Sequence, residues 1–191
     1  MLLTFSRYGG TFFSELLSSR IHRLELSAVH HLKAASRPTL AMPSIAVGAT
    51  VPRFTATLQD GSTFDSATLT GQKSLVLFFY PKDNTPVCTR EACGFRDAYD
   101  EFVKADVEVI GVSSDSPASH RQFAEQHKLP FPIISDPDGS LRRLFGVPNA
   151  LWVIPGRVTY VIDKLGVVRL IHNSTLTAAD HVSKALAAIK A

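Results

Sequence analysis

The chain has 191 residues, 45% of them hydrophobic, enough to bury the core of one ordinary domain, and no apolar run reaches the length of a membrane-spanning helix. Its net charge of +3 resides in residues 1–46, where five basic residues stand against two acidic ones; from Val47 onward fifteen basic and fifteen acidic residues cancel. A body without basic excess argues against a nucleic-acid or membrane partner, and two cysteines without a second pair or clustered histidines provide neither a secreted disulfide scaffold nor a zinc site.

Residues 1–46 are rich in Ser, Arg and Leu, with Arg7, Arg20, Arg23, Lys33 and Arg37 spread along them, and lack the compact layout of a secretory signal. That composition resembles an organellar transit peptide; the plain alternative is a tail without an address. Initiation at Met42 would give a leaderless, cytosolic form beginning Met-Pro-Ser-Ile-Ala.

The body is expected over residues 47–191. Phe54–Leu58 and Thr63-Phe64, joined through Asp60-Gly61, read as a hairpin. Ser74–Tyr80 is a continuous apolar run bounded by Lys73 and Pro81, as in a buried central strand. Thr85–Val103 has helical spacing, with Ala92, Phe95, Tyr99, Phe102 and Val103 on one side. Val107–Val112 is a second buried strand, followed by a helix that Ser116 caps and Pro117 opens, running to about Lys128. A short strand at Ile133-Ile134, a turn at Asp136–Gly139 and a short helix at Leu141–Phe145 come next. Val158–Ile162 and Val167–Ile171 form a second hairpin, and a helix over Ala178–Ile189 closes the order. Parallel crossovers between antiparallel edges predict an α/β thioredoxin-like fold, a mixed sheet flanked by helices.

The segment from Tyr80 to Cys93 leaves a buried strand, crosses a short loop and enters a helix, which is where active sites of open α/β sheets lie. Cys88 falls in the first helical turn, where free backbone N–H groups and the helix dipole favour a thiolate. The Thr85 hydroxyl three residues upstream can accept from a peroxide or donate to the sulfur, and a guanidinium would polarise the O–O bond. Pro81 and Pro86 stiffen the loop without adding donors. Five residues along an ideal helix separate Cα atoms by ~8.7 Å, whereas a disulfide needs them within about 7 Å. If both cysteines are helical, a Cys88–Cys93 bridge therefore requires the helix to unwind.

Pro81-x-x-x-Thr85-x-x-Cys88 resembles the active-site signature of peroxiredoxins, and Cys88-Thr-x-x-Ala-Cys93-x-Phe-Arg-Asp is similar to their Q-type, or bacterioferritin-comigratory, branch. The resemblance spans about Val47–Ala191 and includes Pro155-Gly156-Arg157 followed by Val158–Asp163. It implies that Cys88 is the peroxidatic cysteine, that Thr85 and Arg157 bind and activate hydroperoxide alongside Pro81 and Val87, and that Cys93 resolves the sulfenic acid as a Cys88–Cys93 disulfide. Thioredoxin or a related dithiol would reduce that disulfide, no cofactor or metal is required, and a monomer suffices for an intramolecular bridge. The branch has glycine before the peroxidatic cysteine where this chain has Val87, so altered rate or substrate preference is expected rather than inactivity. The tail lacks a Tyr-Phe extension, and with a nearby resolving thiol Cys88 is expected to resist overoxidation. The family favours a plastid over a mitochondrion for the leader.

Blander readings stand beside these. Cys93 can be a packing residue, Arg157 a surface charge and Thr85 only a helix cap. Trp152 is expected in the core or at its rim. His120 and His127 are expected on a solvated helix face without a role, and Arg96 with Asp97 as a weak local pair. A thiol–disulfide oxidoreductase would carry Cys-x-x-Cys instead of four intervening residues, and a redox sensor or holdase of the same fold would not turn over peroxide.

Overall fold

The computed structural model describes residues 45–150 and 154–190. The leader up to residue 44, and with it the transit-peptide reading, lies outside the described residues, as does Trp152. Ile45 already packs beside the core, so the ordered body starts slightly before Val47. Among the described residues no helix is long and apolar enough to cross a membrane.

The first hairpin pairs Thr55–Leu58 (β1) with Thr63–Asp65 (β2). Its turn places Gly61 at φ +86°, a conformation that suits glycine. The central strand Ser74–Phe79 (β3) is followed by helix Pro86–Asp97 (α1), helix Tyr99–Lys104 (α2) and strand Val107–Ser113 (β4). Helix Pro117–His127 (α3), strand Ile133–Ser135 (β5) and helix Ser140–Phe145 (α4) come next. Two short strands, Asn149–Ala150 (β6) and Ile154–Pro155 (β7), pair with each other before Val158–Ile162 (β8), Val168–Asn173 (β9) and the last helix, Ala178–Lys190 (α5). The seven-stranded sheet runs β2-β1-β5-β4-β3-β8-β9; β3, β4 and β5 are parallel, and β8, β9, β1 and β2 extend it by antiparallel pairings.

The two-residue period of β3 distributes its apolar run over two cores. Val76, Phe78 and Tyr80 pack with Cys88, Ala92 and Phe95 of α1, Phe102 of α2, Phe123 of α3 and Ala185 of α5. Leu75, Leu77 and Phe79 face Phe54 and, from α4, Leu141 and Phe145. The Phe78 and Phe95 rings stack 4.5 Å apart. Burial of each such ring is worth about 1.5–3 kcal/mol, so this pair fixes the helix carrying Cys88 against the central strand.

Two expectations need correction. The helix expected over Thr85–Val103 is two helices, because Ala98 leaves helical geometry (φ −95°, ψ 2°). The turn reorients the second segment: Phe102 is fully buried, whereas Val103 is 51% exposed instead of sharing the apolar stripe. His120 is not on a solvated face but wholly buried, because its ring is the donor or acceptor partner of a buried carboxylate, Asp83. His127 is half-buried, edge-on to Phe123 with centroids 5.0 Å apart.

Candidate active site

The loop between β3 and α1 is held down by a buried polar network. Tyr80 donates its hydroxyl to Asp83 Oδ1 at 2.7 Å, and Asp83 Oδ2 accepts from Ser119 at 2.7 Å and lies 2.9 Å from His120 Nδ1. The Asp83 amide in turn donates to Asp115 at 2.9 Å, tying the loop to the segment after β4. Burial would push the Asp83 carboxyl up, but hydrogen bonds from His120, Ser119 and Tyr80 hold it below the usual carboxylate range. Asn84 then takes a left-handed conformation (φ 58°) and turns the chain into α1.

Thr85 occupies the N-cap with extended backbone (φ −87°, ψ 147°) and Pro86 the first helical position. The Thr85 side chain makes no cap bond; its hydroxyl donates to the Lys82 carbonyl at 3.1 Å. That commits its proton and leaves the oxygen lone pairs free to accept. Cys88 follows in the first turn, 2% exposed, and Pro81 and Val87 are half-buried on either side of the cap.

Arg157 comes from the start of β8, the strand that neighbours β3 in the sheet. Gly156 donates to the Pro148 carbonyl at 2.9 Å, and a Cβ on Gly156 would stand 2.1 Å from that oxygen, so only glycine allows this approach. The β3–β8 pairing of Phe79 with Val158 then sets Arg157 beside the strand end from which Cys88 departs. Arg157 Nη2 donates to Cys88 Sγ at 3.2 Å, Nη1 to Glu91 Oε2, and Nε to the Thr175 carbonyl at 3.3 Å. At 2% exposure it is not a surface charge. A second buried guanidinium, Arg142, donates to the Tyr80 carbonyl and, at 3.1 Å, to that of Gly156, bracing the two segments that carry Cys88 and Arg157. Burial lowers the Arg142 pKa from its ordinary value, with Asp136 and Tyr80 opposing. Asp136 fixes the helix bearing Arg142 by accepting from the amides of Leu141 and Arg142 at 2.9 and 3.0 Å.

Glu91, one turn beyond Cys88, is fully buried; burial pushes its pKa up to about 8, with Arg157 opposing the rise. Its Oε1 lies 3.5 Å from Nδ1 of His181, whose own pKa burial drives down to about 4. Cys93 is half-exposed and lines a shallow apolar groove with Arg90, Gly94, Ala179, Val182 and Leu186. Both cysteines are free thiols, and five residues of helix turn their side chains about 140° apart. Cys88 and Arg157 are thus brought together, Thr85 stands at the same helix entry without bonding the sulfur, and Cys93 faces elsewhere. Arg96 pairs with Asp97 at 2.8 Å on the surface and also donates to the His127 carbonyl.

Asp83, Glu91, His120, Arg142 and His181 went unrecognised in the sequence. Glu91 was detectable as a carboxylate on the Cys88 face of a helix, and His181 as a histidine within the apolar stripe Ala178, His181, Ala185. Arg142 left no local signal.

Residues 47–171 match the model of the AhpC/TSA family. Among curated proteins the chain is similar to "Peroxiredoxin Q, chloroplastic" of Sedum lineare, 41% identical over 172 residues that cover 88% of this chain and 92% of that one. The protein of the same name from Populus jackii is 46% identical over 140 residues, 73% of this chain and 65% of that one, so the chain spans just under two thirds of that relative. Among solved structures, peroxidoxin BcpB of Mycobacterium tuberculosis superposes with a TM-score of 0.71 at 34% identity, over 76% of this chain and 97% of the other. Peroxiredoxin Q of Xanthomonas campestris does so at 0.67 and 33%, over 72% and 89%.

Proposed function

The chain belongs to the AhpC/TSA family and is a thiol peroxidase of the Q-type peroxiredoxin branch, and from that premise we propose that Cys88 is its peroxidatic thiol, Arg157 and Thr85 its peroxide-activating groups and Cys93 its resolving thiol. The observation that carries this assignment is the 3.2 Å contact from Arg157 Nη2 to a cysteine sulfur buried in the first turn of a helix.

In this reading the Cys88 thiolate attacks one oxygen of a hydroperoxide. An S–O bond forms as the O–O bond breaks, and the other oxygen leaves as water or an alcohol after taking a proton. The guanidinium beside the sulfur offers its N–H groups to the charge that develops on the leaving oxygen, in a site from which water is excluded. Thr85, its proton committed to Lys82, accepts from the peroxide O–H and orients it. Pro81 and Val87 border the entrance, where the bulk of Val87 in place of glycine narrows access.

The Cys93 thiol then attacks the Cys88 sulfenic acid, forming the disulfide and releasing water. Helical spacing keeps the two Cα atoms ~8.7 Å apart, beyond the reach of a disulfide, so α1 must unwind between them. A thioredoxin-type dithiol reduces the bridge, as is general for this family. Cys93, half-exposed where Cys88 is buried, is the sulfur a protein reductant reaches first. The bridge is intramolecular, so a monomer can complete the cycle. The Arg- and Ser-rich leader, together with relatives named chloroplastic, supports delivery of the body to a plastid.

Peroxide consumption by the full chain with thioredoxin tests this assignment. Cys88→Ser is expected to be inactive, and Cys93→Ser to react once but fail to recycle. Retention of turnover by Cys88→Ser would refute it.

A further inference from the structure

The cluster behind Cys88 holds more ionisable groups than its chemistry has so far used. Cys88, Glu91, Arg157 and His181 are all at most 2% exposed, and Arg157 is their one fixed cation. Arg142, the other buried guanidinium, acts on Cys88 too but more strongly on Asp136; if Cys88 and Glu91 were both ionised, one buried anion would be left uncompensated, which a low-dielectric interior strongly opposes. Hydrogen bonding points the same way. His181 Nε2 lies 2.8 Å from the Ser174 carbonyl, which can only accept, so this nitrogen carries the ring proton. Nδ1 of the neutral ring then accepts from the Thr159 hydroxyl at 2.8 Å, which occupies its one lone pair, and Glu91 Oε1 lies 3.5 Å from it. Glu91 Oε1 is buried without any hydrogen-bond partner. As a carboxylate oxygen it would be a buried charge with no donor, and protonation of Glu91 removes that charge.

We propose that Glu91, buried beside a neutral His181, stores the proton given up by Cys88, so that the site stays neutral when the sulfur is ionised. The proposal rests on the reading of Cys88 as the reactive thiol. The exchange is balanced: the Cys88 S–H bond breaks, an O–H bond forms on Glu91, and Arg157 keeps its charge throughout. Glu91 holds the proton and touches Arg157 rather than the substrate, and His181, held neutral between Ser174 and Thr159, offers it no donor. Both titrations agree in direction, since burial raises Glu91 and lowers His181. The other groups facing the pair are His172 of β9, whose ring lies 4.6 Å from that of His181, and Asp180 and Lys184 of α5. Asp180 is the one anion among these, and it favours a charged histidine, which sets the limit on how far the proton stays with Glu91. When α1 unwinds to form the disulfide, Glu91 leaves the cluster with its helix and the stored proton passes to water.

The test is infrared spectroscopy of the reduced full chain carrying Cys93→Ser, near neutral pH. A protonated carboxyl C=O band is expected near neutral pH, one that Glu91→Gln removes. Adding Cys88→Ser removes the thiolate that competes with Glu91 for Arg157, so the titration midpoint of the same band should fall. A band that is absent with Cys88 present, or identical with and without Cys88, overturns the proposal. Should Glu91→Gln fail to fold, the comparison with and without Cys88 still decides. None of these readings uses peroxide turnover, so failure of the peroxidase assignment would be seen separately.

Discussion

Replacing Arg157 by Met separates what that residue does for the reaction from what it does for the fold. The aliphatic chain of Met fills most of the same buried space, while the three donor contacts, to Cys88 Sγ, Glu91 and the Thr175 carbonyl, are lost together. Loss of a preorganised donor at a developing anion costs about 10²–10³-fold in rate, or ~3–4 kcal/mol in the barrier. Removing one partner of a buried ion pair costs about 3–5 kcal/mol of stability when the other stays charged. Here Glu91 already has its pKa raised to about 8, so it takes a proton instead, and the stability loss should fall well short of that range. The assay is the second-order rate of Cys88 oxidation by hydrogen peroxide under single-turnover conditions, beside urea denaturation of the same variant. The double variant Arg157→Met, Glu91→Gln should recover stability without recovering rate. If Arg157→Met reacts within threefold of the parent, the guanidinium does not activate peroxide and the argument from the 3.2 Å contact fails.

Three further outcomes follow from the same geometry. Because the folded-state pKa of Glu91 is raised to about 8 from 4.5, its contribution to stability is full below the unfolded value and is lost as pH rises through the folded one; urea midpoints should fall across that window, and less so in Glu91→Gln. In the oxidised protein, amide-exchange protection over residues 88–95 should drop by an order of magnitude or more relative to the reduced form, because the bridge cannot span intact helix; equal protection in the two forms would show that the helix does not unwind. His120→Ala leaves buried Asp83 short of a partner and should cost roughly 1–3 kcal/mol in denaturant unfolding, with a fall in peroxide rate smaller than that of Arg157→Met; no change in either would mean that the network does not hold the loop.

The parts of the molecule readable from sequence are those whose cause is local. The run Ser74–Tyr80 announces a buried strand because both faces of β3 are covered, and Thr85-Pro86 announces a helix start because proline suits the first turn. That places Cys88 in its electrostatic setting without any structure. Arg157 is different: it lies 69 positions away and meets Cys88 only because β8 pairs with β3, so spacing could not find it and only the family resemblance did. His120 was misjudged for a related reason. Its helix neighbours Ser119, Arg121 and Gln122 are polar and suggest a wet face, while the carboxylate that holds it comes from a loop 37 residues earlier. The break at Ala98 was hidden because Ala92 to Phe102 keeps helical periodicity across it, and only the exposure of Val103 reveals that the second helix has turned.

The central claim is that Cys88 is the thiol peroxide attacks, and it is tested most directly by one equivalent of hydrogen peroxide added to the reduced chain carrying Cys93→Ser. Trapping followed by peptide mass spectrometry should find one sulfenic acid per chain on Cys88, and the parent treated in the same way should show a Cys88–Cys93 disulfide instead. An unmodified Cys88 after peroxide has been consumed, or consumption that persists in Cys88→Ser, would contradict the account.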